Sequence, residues 1–112
     1  MRASQSAPAR RDVAFQLKFS SRALRETGAA HEWYEAQGAG LGEEFLAATE
    51  LQLRRLEQAP LLYAEVIAGV RRALLPRFPY GVFYAIRNGT VHVLAVIHNV
   101  RSPRRWPRTQ AR

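Results

Sequence analysis

The sequence predicts an α+β domain of order β-α-α-β-β-β, with an antiparallel four-stranded sheet and a helical hairpin packed on one face. Three observations carry this prediction. The segment "VAFQLKFS" (13–20) alternates apolar and polar residues with period two. Two runs of helical spacing follow, joined only by "GAG" (38–40). Two further strand-like runs flank Asn88-Gly89, a dipeptide suited to a two-residue hairpin turn.

Each element has a local reason. Val13, Phe15, Leu17 and Phe19 share one face of the first strand, so it is half-buried. Ser20 or Ser21 caps the first helix and Gly38 ends it. Gly28 weakens that helix by roughly 1 kcal/mol relative to Ala, so packing must hold it. The second helix lies in "AGLGEEFLAATELQLRRLEQAP" (39–60), with Leu41, Phe45, Ala48, Leu53 and Leu56 on one stripe and Pro60 as its stop. So short a link favours antiparallel helices. Trp33, Tyr34 and Phe45 on this hairpin read as core aromatics.

After "PLLYAEVIAG" come three strands, "VRRALLP" (70–76), "YGVFYAIR" (80–87) and "TVHVLAVI" (90–97). The Asn-Gly turn sets the register of the last two: Arg87 with Thr90, Ala85 with His92, Phe83 with Leu94. Tyr80, Val82, Tyr84, Ile86, Val91, Val93, Ala95 and Ile97 then face the helices. Gly81, Phe83, Ala85, Arg87, Thr90, His92, Leu94 and Val96 face away, with His98 at the end of that row.

A chain of 112 residues suits one domain. Residues 1–12 read as a disordered lead or an over-extended start, 13–108 as the domain, and 109–112 as a tail. The absence of cysteine excludes a disulfide framework and thiolate metal sites, and fits a reducing cytoplasm. No stretch approaches the roughly 18 apolar residues that span a bilayer. The first residues lack the apolar centre of a secretory signal.

The net charge is +8, and it is unevenly placed. From Gly69 to Arg112 there are nine basic residues and no acid; from Val13 to Ala68 there are five basic residues and eight Glu. This asymmetry suggests a polyanionic partner, either nucleic acid or an acidic protein surface, against the plainer reading of a solvated basic face.

The pieces "WYEAQGAGLGEEF" (33–45), "VRRALLPRFPYGVFY" (70–84) and "VLAVIHNVRSPRRW" (93–106), in this order and spacing, resemble the RelE/ParE toxins of bacterial type II toxin–antitoxin systems, closest to the ParE-like, plasmid-stabilisation branch. The resemblance covers Phe15 to about Arg108. It implies the fold above, a cytoplasmic protein without cofactor or metal, and a ParD-like antitoxin with an acidic, amphipathic C-terminal segment. It implies one of two targets. ParE-like members are similar to non-enzymatic inhibitors of DNA gyrase. RelE-like members are metal-independent endoribonucleases that cut mRNA on the ribosome. A basic nucleic-acid-binding relic without toxicity is a third reading.

Metal-free RNA cleavage needs a base for the 2′-OH, cations for the phosphate and an acid for the leaving oxygen. Carried over from the resemblance, Arg72 and Arg101 match two of five positions. Leu74 stands where a lysine is expected and Gly81 where an arginine is expected. Trp106 and Pro107 occupy the region of a missing tyrosine. His98 could supply acid–base chemistry, so Arg72, His98 and Arg101 form the catalytic set of the RNase reading. The contact set for target or antitoxin is Arg71, Arg72, Arg87, Arg101, Arg104, Arg105 and Trp106, an arginine–tryptophan composition suited to stacking or hot-spot contact. Arg71 and Arg72, as strand neighbours, point to opposite faces. A basic tail with Trp106 folded back on the sheet is the plainer alternative.

Overall fold

The computed structural model describes residues 14–101 and 103–108. The expected lead at 1–12 and tail at 109–112 lie outside the described residues. In chain order the elements are β1 (Gln16–Phe19), α1 (Ser21–Gln37), α2 (Leu41–Gln58), β2 (Glu65–Ile67), β3 (Val70–Leu74), β4 (Tyr80–Arg87) and β5 (Thr90–His98). Single 3₁₀ turns stand at Pro60–Leu62 and Pro103–Arg105. The sheet order is β1-β5-β4-β3-β2, with the helical hairpin on one face.

Two features differ from the expected four-stranded antiparallel sheet. β1 runs parallel to β5, pairing Gln16 with Thr90 through Phe19 with Val93. A period-two pattern fixes which face is buried but not the strand's direction. A fifth strand, β2, is only three residues long and covers the outer edge of β3. The rest of the sheet is antiparallel.

Ser20 caps α1 as its sequence position suggests: its hydroxyl oxygen accepts from the Ala23 N–H at 2.9 Å. Gly38 ends α1 with extended backbone, its N–H donating to the Tyr34 carbonyl. The left-handed residue is Gly40, with φ 85°, which turns the chain into α2. The Glu35 carboxylate accepts from the N–H groups of Gly40 and Gly42, both at 2.9 Å, and ties the two helices together. Those two bonds hold its carboxyl below the usual carboxylate range. Gly42 permits the close crossing, since a Cβ there would lie 2.7 Å from the His31 carbonyl oxygen. His31 is half-buried and meets Glu43 at 3.1 Å, so it is more than a surface residue.

The core lies between the hairpin and the sheet. Tyr34 stacks on Phe45 with centroids 5.3 Å apart, and Phe78 closes edge-on against both at 5.0 and 5.5 Å. A fully buried ring of this kind contributes about 1.5–3 kcal/mol. Trp33, expected in the core, is 57% exposed; it stands edge-on to Tyr34 from the solvent side. Tyr84 is fully buried, and its hydroxyl donates to the Pro60 carbonyl at 2.5 Å, fixing the loop after α2.

The hairpin keeps the expected register from Arg87–Thr90 to Tyr84–Val93 and then slips by one residue. Phe83 pairs with Ala95, not with Leu94, so Leu94 is the extra residue of a β-bulge. The end of β1 explains the site: where β1 stops, Ser20 donates its N–H to Val93 O and its hydroxyl to Leu94 O. Every side chain beyond the bulge changes face. Val96 joins the helix-side core, whereas Ala95 and Ile97 turn outward to join Val70 and Phe83. The expected inward Ala95 and Ile97 and outward Val96 and His98 are therefore reversed.

Candidate functional site

The bulge at Leu94 divides the expected site residues between the two faces of the sheet. On the face away from the helices, Arg72 of β3 lies opposite Phe83 of β4. Its guanidinium carbon sits 5.2 Å from the centre of the Trp106 ring and 6.0 Å from that of Phe83. Trp106 lies across Phe83 with centroids 5.4 Å apart. The tryptophan thus folds back on the sheet and holds the C-terminal turn against it.

Gly81 is opposite Leu74 on the same face. A Cβ at Gly81 would come within 3.0 Å of Arg72 Cδ and 3.1 Å of its Cγ, so the arginine stem fills the space above the glycine. Leu74 is half exposed beside it. Arg87 extends this face at the hairpin tip and is exposed. His92 is half-buried opposite Ala85, in mid-strand as expected.

Arg71 points the other way and is engaged within the fold. It donates to the Tyr63 carbonyl at 2.5 Å and lies 3.8 Å from the Glu65 carboxylate.

His98 stands on the helix side, at the end of a cleft of about 960 Å³ between α1 and the far ends of β4 and β5. Trp33, Tyr34, Tyr80, His98, Arg101 and Arg105 are prominent in its lining. The His98 ring meets Tyr80 edge-on at 5.1 Å. Its Nδ1 accepts from the Val100 N–H at 3.2 Å, an arrangement that needs the ring proton on Nε2. Burial pushes the Tyr80 phenol up, and the nearby Arg101 charge opposes that push. Burial, assisted by Tyr80, also raises the Tyr34 phenol.

A chain of polar contacts closes one wall of the cleft. Glu26 on α1 accepts from the Val96 N–H at 2.9 Å, and Arg22 donates to Glu26 at 2.9 Å. Arg22 also donates to the Arg105 carbonyl, so α1 holds the C-terminal turn. Arg101, Arg104, Arg105 and Arg108 are all exposed.

Of the three residues set out for RNA cleavage, His98 and Arg101 share the cleft and Arg72 lies on the opposite face. Sequence reasoning missed Trp33, Tyr80 and Glu26 as cleft residues. The Arg22–Glu26 pair was readable from its i,i+4 spacing. Trp33 carried no signal separating it from a core aromatic. Among the described residues, no group of three His, Cys, Asp or Glu could hold a metal ion, and no helix is long and apolar enough to cross a membrane.

Residues 17–103 match the family described as ParE toxin of type II toxin-antitoxin system, parDE. No curated protein matches the chain significantly. Among solved structures, the chromosomal ParDE toxin–antitoxin system from P. aeruginosa is similar with a TM-score of 0.63 at 20% identity, covering 77% of this chain and 97% of that one. The RelBE2 toxin–antitoxin complex from Mycobacterium tuberculosis is similar with a TM-score of 0.54 at 22% identity, covering 76% and 98%. The isolated E. coli RelE toxin gives a TM-score of 0.53 at 20% identity, covering 81% and 90%. At such identities the likenesses speak for the fold. The family match is broader in meaning, because it runs from β1 to the start of the C-terminal turn and takes in both helices and all five strands. The chain belongs to the ParE toxins of type II toxin–antitoxin systems.

Proposed function

We propose that this toxin arrests growth by binding and poisoning DNA gyrase, without cutting nucleic acid, and that a cognate ParD-like antitoxin neutralises it in the cytoplasm. One observation carries the choice of mechanism: the sheet stands between Arg72 and His98. A metal-free cut needs base, acid and cation around one phosphate, within hydrogen-bond reach. Arg72 is instead stacked on Trp106 and Phe83, above a glycine that leaves no second cation there.

On this reading the exposed Arg87, Arg101, Arg104 and Arg105 are the target contacts. Trp106, stacked on Phe83 and Arg72, holds in place the C-terminal turn that carries Arg104 and Arg105. Arg71 holds the loop after α2 and contributes to binding only indirectly. The acid-free stretch from Gly69 onward suits an acidic antitoxin segment by charge.

The test is induced expression in bacteria, with plasmid topology and RNA integrity read from one culture. Loss of supercoiling and accumulation of cleaved DNA, with intact message, are expected. Codon-biased cuts in translated mRNA that disappear in Arg101→Ala, with supercoiling normal, would replace this reading with the ribonuclease one.

A further inference from the structure

The geometry points to the groove at the C-terminal end of α2 as a binding site for a small acyl carboxylate, a carboxyl head carried on an apolar chain. Leu51, Arg54, Arg55 and Gln58 recur at helical spacing and form one stripe along the last turns of α2. That stripe is separate from the buried one of Phe45, Ala48, Gln52 and Leu56. Ala59, Leu62 and Tyr63 form the facing wall, and the groove between has a volume of about 400 Å³, in the range of small-molecule sites.

The facing wall is held in place by the fold. The Leu62 N–H donates to the Ala59 carbonyl, Tyr84 fixes the Pro60 carbonyl and Arg71 fixes that of Tyr63. Two leucines nevertheless remain in the open: Leu51 is 46% exposed and Leu62 is 79% exposed. The apolar surface is thus formed in advance rather than assembled by a ligand, which lowers the entropic cost of binding.

Charge selects the occupant. The lining holds two arginines and no carboxylate. Among the described residues neither arginine forms an ion pair, and Arg55 reaches only the Gln52 side-chain oxygen, at 3.4 Å. Arg22, Arg71 and Arg77 by contrast each meet a glutamate. A second copy packed groove to groove would bring the same arginines against each other. The chain's own residues before Val13 carry Arg2, Arg10 and Arg11 against Asp12, again the wrong sign. An acyl carboxylate meets both demands: its chain covers Leu51, Leu62 and Tyr63, and its head takes the guanidinium forks. The groove shares no residue with the cleft that holds His98 or with the arginines assigned to the target.

The test is a titration of the full chain followed by the methyl NMR signals of Leu51 and Leu62, with Val100, in the other cleft, as the remote control. The probes are octanoate, butanoate, octanol and octylammonium. Octanoate is expected to shift both leucines saturably and to leave Val100 unchanged. Butanoate should bind at least about tenfold more weakly, as the loss of several partly covered methylene groups implies. Octanol should also bind about tenfold more weakly, as the loss of a charge-assisted bond implies, and octylammonium weaker still. Arg54→Gln with Arg55→Gln should bring octanoate down to the level of octanol and leave octanol unchanged, which a change of fold would not do. No saturable shift, octanoate and octanol of equal strength, or butanoate as strong as octanoate would overturn the proposal. So would leucine signals that answer only to protein concentration, the mark of a second copy, or only to phosphatidylglycerol vesicles, the mark of a membrane surface. Gyrase inhibition is measured separately and does not enter this readout, so either reading can fail alone.

Discussion

His98 meets Tyr80 edge-on, with ring centroids 5.1 Å apart and planes at 72°, on the helix side of the sheet. The contact exists because Leu94 is an extra residue in β5. Deleting Leu94 should remove the bulge and leave the faces as they are, with Ala95 outward, Val96 in the core and His98 beside Tyr80, because Val93 and Ala95 then alternate directly. A loss of about 1–2 kcal/mol is expected, from the Ser20 hydroxyl bond to the Leu94 carbonyl and the packing of the half-buried Leu94 side chain. Chemical denaturation measures the loss. The His98 ring proton shifts, moved by Tyr80 in the parent, should stay near their parent values; shifts that relax to solvent values would show that Leu94 is not the residue that sets the slip.

Trp106 and Arg72 should be energetically coupled. Trp106→Ala removes a half-buried ring from Phe83 and should cost about 1–2 kcal/mol. A double-mutant cycle with Arg72→Ala should give a coupling of about 0.5–1 kcal/mol, the range for a partly exposed cation over a ring. Additive effects would show that the stack contributes nothing.

Gly81→Arg supplies the cation that the ribonuclease pattern would place there. It should not create RNA cleavage. The new side chain meets the Arg72 stem and its like charge, and should destabilise the domain by about 1–2 kcal/mol. Adding Arg72→Ala should recover most of that loss in a thermal melt. A gain of cleavage activity in the single variant would overturn the assignment of this face.

Glu35 should make stability depend on acid pH. Its folded carboxyl lies below the ordinary value of 4.5, held there first by the Gly40 and then by the Gly42 N–H. A depressed carboxylate contributes stability above its unfolded value, and that contribution is lost as pH falls through the folded value. The stability gap between parent and Glu35→Gln should therefore be full above about pH 4.5 and shrink below it. Denaturation curves across that range measure it. A gap that does not change with pH would remove Glu35 from the account of the helix link.

Tyr84 should act at the other end of the scale. Burial pushes its phenol well above the ordinary value of 10.0, so the fold holds this proton more tightly than the unfolded chain does. Its contribution is complete below pH 10 and is lost as pH rises toward the folded value. Tyr84→Phe should cost about 1–3 kcal/mol at neutral pH, because the Pro60 carbonyl loses its donor. The variant's stability should then decline less steeply above pH 10. Tyr34 and Tyr80, also raised by burial, keep that decline from vanishing.

Much of the fold was legible because its signals are local. Ser20 as a cap, Pro60 as a stop and Asn88-Gly89 as a turn each act within a few residues, and each lies where expected. The bulge was not legible, because "VLAVI" is apolar throughout and gives no alternation from which a slip could be read. What places it is Ser20, a residue far away in sequence. The parallel pairing of β1 is likewise a tertiary outcome. For the site, the sequence put His98 and Arg101 near each other correctly. It could not tell that Arg72 lies behind them, since one residue of slip exchanges the faces.

β1 and β5 are joined by contacts such as Ser20 to Leu94, across 74 residues. A chain leaving the ribosome therefore cannot close its sheet until nearly all of it has been synthesised, and pairings between distant segments form slowly. The incomplete polypeptide lacks the surface it will later present. Potency arrives only with termination, which gives any earlier-made neutralising protein a head start built into the order of the strands.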